Sequence, residues 1–119
     1  MTIETITVRD DLLIRRMVLQ PGESMYWHID LCHRFTVVVQ GSRIGIEYAN
    51  GSAGTDQLDE GQTLAIVDVH PGLADWEAPE SRIHRATNLG DGIYEEVVTF
   101  FRDSATVEPQ PDCSRRVAP

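Results

Sequence analysis

The segment from Gly22 to Gly41, GESMYWHIDLCHRFTVVVQG, decides the fold. Tyr26, Trp27, Ile29 and the run Phe35-Thr36-Val37-Val38-Val39 are aromatic or β-branched, which favours extended chain. A glycine closes each end, and no apolar stripe of helical period runs through it. Residues two apart on a strand share a face. His28 and Asp30 can therefore point into one cavity together with Tyr26. Thr36, Val38 and Gln40 share that inward parity, whereas Trp27 falls on the outer face with Phe35, Val37 and Val39. An outer face that apolar predicts burial against a second copy, hence a homodimer.

Similar short runs recur outward from this segment: Ile3–Val8, Leu12–Leu19, Arg43–Tyr48, Leu64–Val69, Arg82–Asn88 and Ile93–Arg102. Turn residues separate them, among them Pro21-Gly22, Gly41-Ser42, His70-Pro71-Gly72 and Leu89-Gly90-Asp91-Gly92. Eight short strands in one chain predict an all-β sandwich or barrel, because a single open sheet would leave one face unburied. At 119 residues the chain has the length of one domain, assigned to residues 1–103. Residues 104–119 hold several prolines and little to bury, and read as a flexible tail.

Charge narrows the function. The chain carries 19 acidic and 10 basic residues, a net charge of −9, and all ten basic residues are arginine. Schiff-base chemistry on lysine is thereby excluded. A surface this acidic should repel polyanions, so no nucleic acid partner is expected. No apolar run approaches the roughly 20 residues of a membrane span, and the start MTIETITVRDD lacks a signal-peptide core. These features predict a cytoplasmic protein without a membrane partner. Two cysteines are too few for a disulfide framework. Cys113 in the tail reads as an exposed, incidental thiol, and Cys32 as a small hydrophobe.

Histidines carry the chemistry. His28, Asp30 and His33 form a cluster of ligand-type side chains, and a further ligand would have to come from a neighbouring strand, with His84 the candidate. His70, in a turn, reads as incidental. Trp76 lies in the segment 69–79, where an inserted loop near the barrel mouth would act as a lid or pack on the rim.

The spacing resembles that of the cupins. Their first motif, Gly-x5-His-x-His-x3-Glu-x6-Gly, is matched in spacing by Gly22, His28, Asp30, Arg34 and Gly41; their second, Pro-x-Gly-x-x-His-x3-Asn, by Pro79, Ser81, His84 and Asn88. The resemblance spans about residues 12–102 and points to the small single-domain bacterial cupins of the RmlC-like type, some of them linked to catabolism of small acids. It implies a double-stranded β-helix, the jelly-roll barrel, with metal ligands mapping to His28, Asp30, Arg34 and His84. Arg34 departs from the pattern, since a guanidinium cannot coordinate a cation.

Two readings follow. In one, a bulge lets His33 replace the missing ligand, so that His28, Asp30, His33 and His84 surround Fe, Mn, Ni or Zn, although strict alternation puts His33 and Arg34 on opposite faces. The chain would then be a metal-dependent oxygenase, lyase or isomerase of a small organic acid, with His84 and Arg34 as catalytic residues and Tyr26, Arg34 and Thr36 against the ligand. In the other, the barrel is metal-free, and Arg34 holds a small anionic ligand without turnover.

Overall fold

The computed structural model describes residues 1–49, 63–102 and 113–117. Ten strands run β1 (Thr2–Val8), β2 (Leu12–Leu19), β3 (His28–Asp30), β4 (His33–Gln40), β5 (Arg43–Tyr48), β6 (Thr63–Asp68), β7 (Ala74–Glu77), β8 (Glu80–Asn88), β9 (Tyr94–Phe101) and β10 (Ser114–Arg116). They form two five-stranded sheets, ordered β1-β2-β9-β4-β7 and β10-β3-β8-β5-β6, with antiparallel pairing throughout. The eight expected strands are present with shifted ends, and β7 and β10 are additional. No helix among the described residues is long and apolar enough to cross a membrane.

Sheet changes occur where the sequence places turn residues. Gln20 to Glu23 makes a turn closed by Glu23 N–H on the Gln20 carbonyl at 2.9 Å, with Pro21 followed by Gly22 at φ +80°. Proline presets the first corner of such a turn and glycine supplies the positive φ of the second. Gly41, between β4 and β5, has φ +144°, and a Cβ there would lie 2.7 Å from the Tyr94 ring. Asn88 is fully buried at the end of β8. Its Nδ2 donates to the carbonyls of Leu19 and Gly92 at 3.0 and 2.8 Å, and its Oδ1 accepts from Gly90 N–H at 2.9 Å. One side chain thus ties β8 to β2 and to the turn before β9.

The inner faces pack Met17, Leu19, Met25, Val38, Val69, Ala86 and Tyr94 into one cluster, and Leu13, Val98 and Phe100 with Cys32 and Cys113 into a second. The two cysteines form a disulfide and are fully buried, so neither is the free thiol expected. Over residues 113–117 the tail expectation is corrected with them. β10 pairs with β3 in the register Ser114 to Asp30 and Arg116 to His28, extending the second sheet by one strand. An isolated three-residue strand cannot be read from composition; partner and crosslink hold it. Residues 103–112 lie outside the described residues.

Trp27 changes meaning too. It packs with Ile29, Ile83 and Val117 on the outer face of the second sheet, with the Arg85 guanidinium 4.5 Å over its ring. Part of its cover is Val117, near the chain's own end. Trp76 is exposed on the outer face of the first sheet, beside Phe35 and Phe101 at ring distances of 6.3 and 5.0 Å. Trp76 belongs to β7, hydrogen-bonded to β4 opposite Phe35, so the expected lid loop is a sheet strand.

Candidate metal centre

β3 brings His28 and Asp30 to one face by simple alternation, and β8 lays His84 opposite His28. A register shift between His28 and Asp30 lets Asp30 pair with Glu80, so that the Asp30 carboxylate turns back toward both imidazoles. Asp30 Oδ2 is 2.8 Å from His84 Nε2 and 3.6 Å from His28 Nε2. Ligand atoms of these three buried residues all lie within 4.8 Å of one another.

Each ring is held from behind. His28 Nδ1 donates to the Tyr26 carbonyl at 3.0 Å and His84 Nδ1 to the Arg82 carbonyl at 2.7 Å. A backbone acceptor on Nδ1 leaves Nε2 to face the centre, the arrangement that orients metal-binding histidines. Two imidazoles and one carboxylate with open positions is a ligand set for first-row divalent ions. The residues therefore fit a metal: His28 Nε2, His84 Nε2 and Asp30 would hold it.

Electrostatics separate the two histidines. Burial pushes His28 down to about 4, against the pull of the Asp30 charge, with His84 and Arg34 adding to the fall. It is neutral near pH 7, with a lone pair on Nε2. Burial lowers His84 as well, but its bonds to Asp30 and to the Arg82 carbonyl outweigh that and leave it above the ordinary value. Burial would raise the Asp30 carboxyl; the His84 hydrogen bond and the charges of Arg34 and His28 bring it below the usual range. Metal binding would displace the His84 proton, so affinity should rise with pH.

Arg34 enters from β4. Its Nη1 is 3.1 Å from Asp30 Oδ2, and its Nη2 pairs with Glu77 of β7, which faces it across the sheet. His33 stands on the other side of the sheet. β4 begins at His33 without a bulge there, in register with Phe101, and the imidazole lies stacked with Trp76 at 6.4 Å. The expected fourth ligand is therefore not in the cluster, because alternation carries residues 33 and 34 to opposite faces. His70 is exposed, its Nδ1 on the Pro71 carbonyl. Tyr26 was expected against the ligand, but it is outside the cavity lining: its ring meets His28 edge-on at 5.9 Å, with Arg116 over it at 5.5 Å.

The centre opens into a cavity of about 200 Å³ between the sheets. Thr36 lines it as expected, beside Arg15, Asp75, Glu77 and Glu96, which the sequence reading did not single out. Two of these were legible. Glu96 alternates with Tyr94, Val98 and Phe100, and Arg15 with Leu13, Met17 and Leu19, and all six of those neighbours are buried. Asp75 and Glu77 become visible only once 74–77 is known to be a strand.

Glu96 accepts from the Tyr94 hydroxyl at 2.9 Å. Burial pushes its carboxyl up to about 7; Glu77 and Asp30 add to the rise, while Tyr94 and Arg34 oppose it. The folded state thus keeps a proton that the unfolded chain releases near 4.5, so this group costs stability as pH rises from about 4.5 through 7. Glu96→Gln keeps an acceptor for Tyr94 and cannot ionise. The variant should gain on the parent by up to about 3 kcal/mol between pH 5 and pH 8. Urea unfolding at both pH values checks this, and an unchanged gap would refute it.

No family model matches the sequence, and no curated protein matches it. Solved structures do. The two stacked antiparallel sheets around a central cavity are the double-stranded β-helix of the cupins, and this chain has that fold. A cupin domain from Bordetella pertussis Tohama I aligns with a TM-score of 0.67 at 14% identity, over 84% of this chain and 91% of that one. An RmlC-like cupin family protein from Methanocaldococcus jannaschii aligns with a TM-score of 0.62 at 14% identity, over 93% and 82%. A recombinant oxalate oxidase in complex with glycolate gives 0.60 at 19% identity, over 98% of this chain and 54% of that one, so this chain spans about half its length.

Proposed function

We propose that this chain is a metal-dependent cupin enzyme of the oxygenase, lyase or isomerase kind, acting on a small organic acid. The observation that carries the reading is the convergence of His28 Nε2, His84 Nε2 and an Asp30 carboxylate oxygen, with both Nδ1 atoms anchored by carbonyls. A bound divalent ion would supply Lewis acidity or activation of oxygen. His28, neutral in the folded protein, offers its lone pair without first losing a proton. Arg34 Nη1 lies 3.1 Å from the same Asp30 oxygen that faces the imidazoles, and Glu77 holds Arg34 in turn, so that both act as positioning residues. The oxalate oxidase similar in fold carries glycolate, a small organic acid, which supports the substrate class.

A metal-free barrel is the second reading, and the 3.1 Å contact of Arg34 on Asp30 favours it, since a guanidinium next to the ligand set supplies positive charge of its own. Elemental analysis of protein purified without a histidine tag separates the two. The parent should carry about one equivalent of iron, manganese, nickel or zinc, and His28→Ala and His84→Ala should each lose it. A parent that stays metal-free after reconstitution would sink the enzyme reading.

A further inference from the structure

Arg34 is flanked by two carboxylates, its Nη2 paired with Glu77 and its Nη1 3.1 Å from Asp30 Oδ2 without a hydrogen bond. Another arginine faces the same cavity. Arg15 lies on the inner row of β2 between Leu13 and Met17, which are 2% and 6% exposed, in a position that packing alone would fill with an aliphatic residue. Its guanidinium stacks over the Phe100 ring at 4.8 Å, and among the described residues it makes no ion pair. Phe100 is the neighbour of Arg34 across β4 and β9. The Arg15 head therefore leans over β9 toward the row that holds Arg34 and the metal centre.

We infer that Arg15 is the anchor for the substrate's carboxylate, and that the ligand is a short monocarboxylate whose apolar part lies along Met17, Val98 and Phe100. This rests on the small-acid reading of the cavity. Arg15 presents an unpaired planar fork that a carboxylate can take bidentately. Arg15 is half-buried, and a guanidinium partly withdrawn from water with no ion pair among the described residues is a group for which a ligand can supply the partner. β2 and β4 are neighbours of β9 on its two sides, about 10 Å apart by strand spacing. A short acid held at Arg15 thus reaches toward the Arg34 side of the cavity. Thr36 and Val98 fill the same cross-strand row as Arg15, so its floor is small and weakly polar.

Calorimetric titration with butanoate and with its uncharged analogue butanamide tests this, on protein whose metal content is measured in the same samples. The parent should bind butanoate at least tenfold more tightly than butanamide. Arg15→Gln should lose tenfold or more in butanoate affinity with metal content unchanged. Arg15→Met should lose it equally while melting no lower than the parent, which a merely structural arginine would not allow. Butanoate affinity unaffected by Arg15→Gln, equal binding of acid and amide, no butanoate binding by the parent at 10 mM, or a melting point in Arg15→Met well below the parent would each overturn the inference. Metal present with binding indifferent to Arg15 removes this inference alone. Metal absent with binding still dependent on Arg15 removes the metal reading alone.

Discussion

Cys113→Ser should cost this protein about 4.5 kcal/mol, which is the chain-entropy value for opening a loop of this length, and lower its melting point by roughly 15 °C. The disulfide to Cys32 spans 81 residues, so it restricts most of the unfolded chain. It also clamps the short β10 strand onto β3, where Leu31 N–H donates to the Cys113 carbonyl at 2.7 Å and Val117 N–H to the Trp27 carbonyl at 2.8 Å. Without the crosslink three strand residues have little to hold them. Trp27 should then become exposed. Trp76 is already 61% exposed, so a red shift of tryptophan emission in the variant reports on Trp27. Denaturant unfolding followed by fluorescence, repeated in a Trp76→Phe background, measures both effects. A variant as stable as the parent, with unshifted emission, would show that the crosslink is dispensable. Structural disulfides are rare in a reducing cytoplasm, so the pairing weighs against the cytoplasmic expectation.

Asp30→Asn is expected to be the most damaging single change in the site, at about 3–5 kcal/mol in the metal-free protein. One carboxylate oxygen faces His84, His28 and Arg34, and all four side chains are at least 85% buried. Loss of its charge leaves the guanidinium with Glu77 alone and the His84 imidazolium without an anion. The pH dependence has a definite sign. Asp30 lies below its ordinary 3.8 in the folded state, so its contribution is present above that value and fades as pH falls through the folded one. His84 lies above its ordinary 6.5, so its contribution is full below 6.5 and is lost as pH rises through the folded value. The gap between parent and variant should therefore be widest between about pH 4 and 6.5 and narrow toward alkaline pH. Urea unfolding at pH 5.5 and 9 tests this; a gap that widened at pH 9 would contradict the coupling of His84 to Asp30. The variant should also lose bound metal, which elemental analysis reads directly.

Alternation and turn chemistry are local properties, and they determined most of this architecture from the sequence by itself. The strands before Gly22 and after Gly41, the turn role of Asn88 and the shared face of His28 and Asp30 all follow from residues within a few positions of one another. His84 was legible as a candidate ligand from its residue type in a β-like run as well as from the resemblance in spacing, and β8 places it opposite His28. The same parity made Glu96 and Arg15 readable as inward-facing groups.

Three things only the tertiary structure decided. Ala74–Glu77 and Ser114–Arg116 are strands because a neighbour offers them backbone partners, and their own composition carries no such signal. Cys32 and Cys113 meet because β10 crosses to β3, a contact 81 residues apart that no local pattern encodes. Arg34 is paired with Glu77 because β7, itself invisible in the sequence, lies opposite it. Local propensity specifies which way a side chain points; what it meets there is set by the long-range pairing of strands, where cross-strand partners supply the energy.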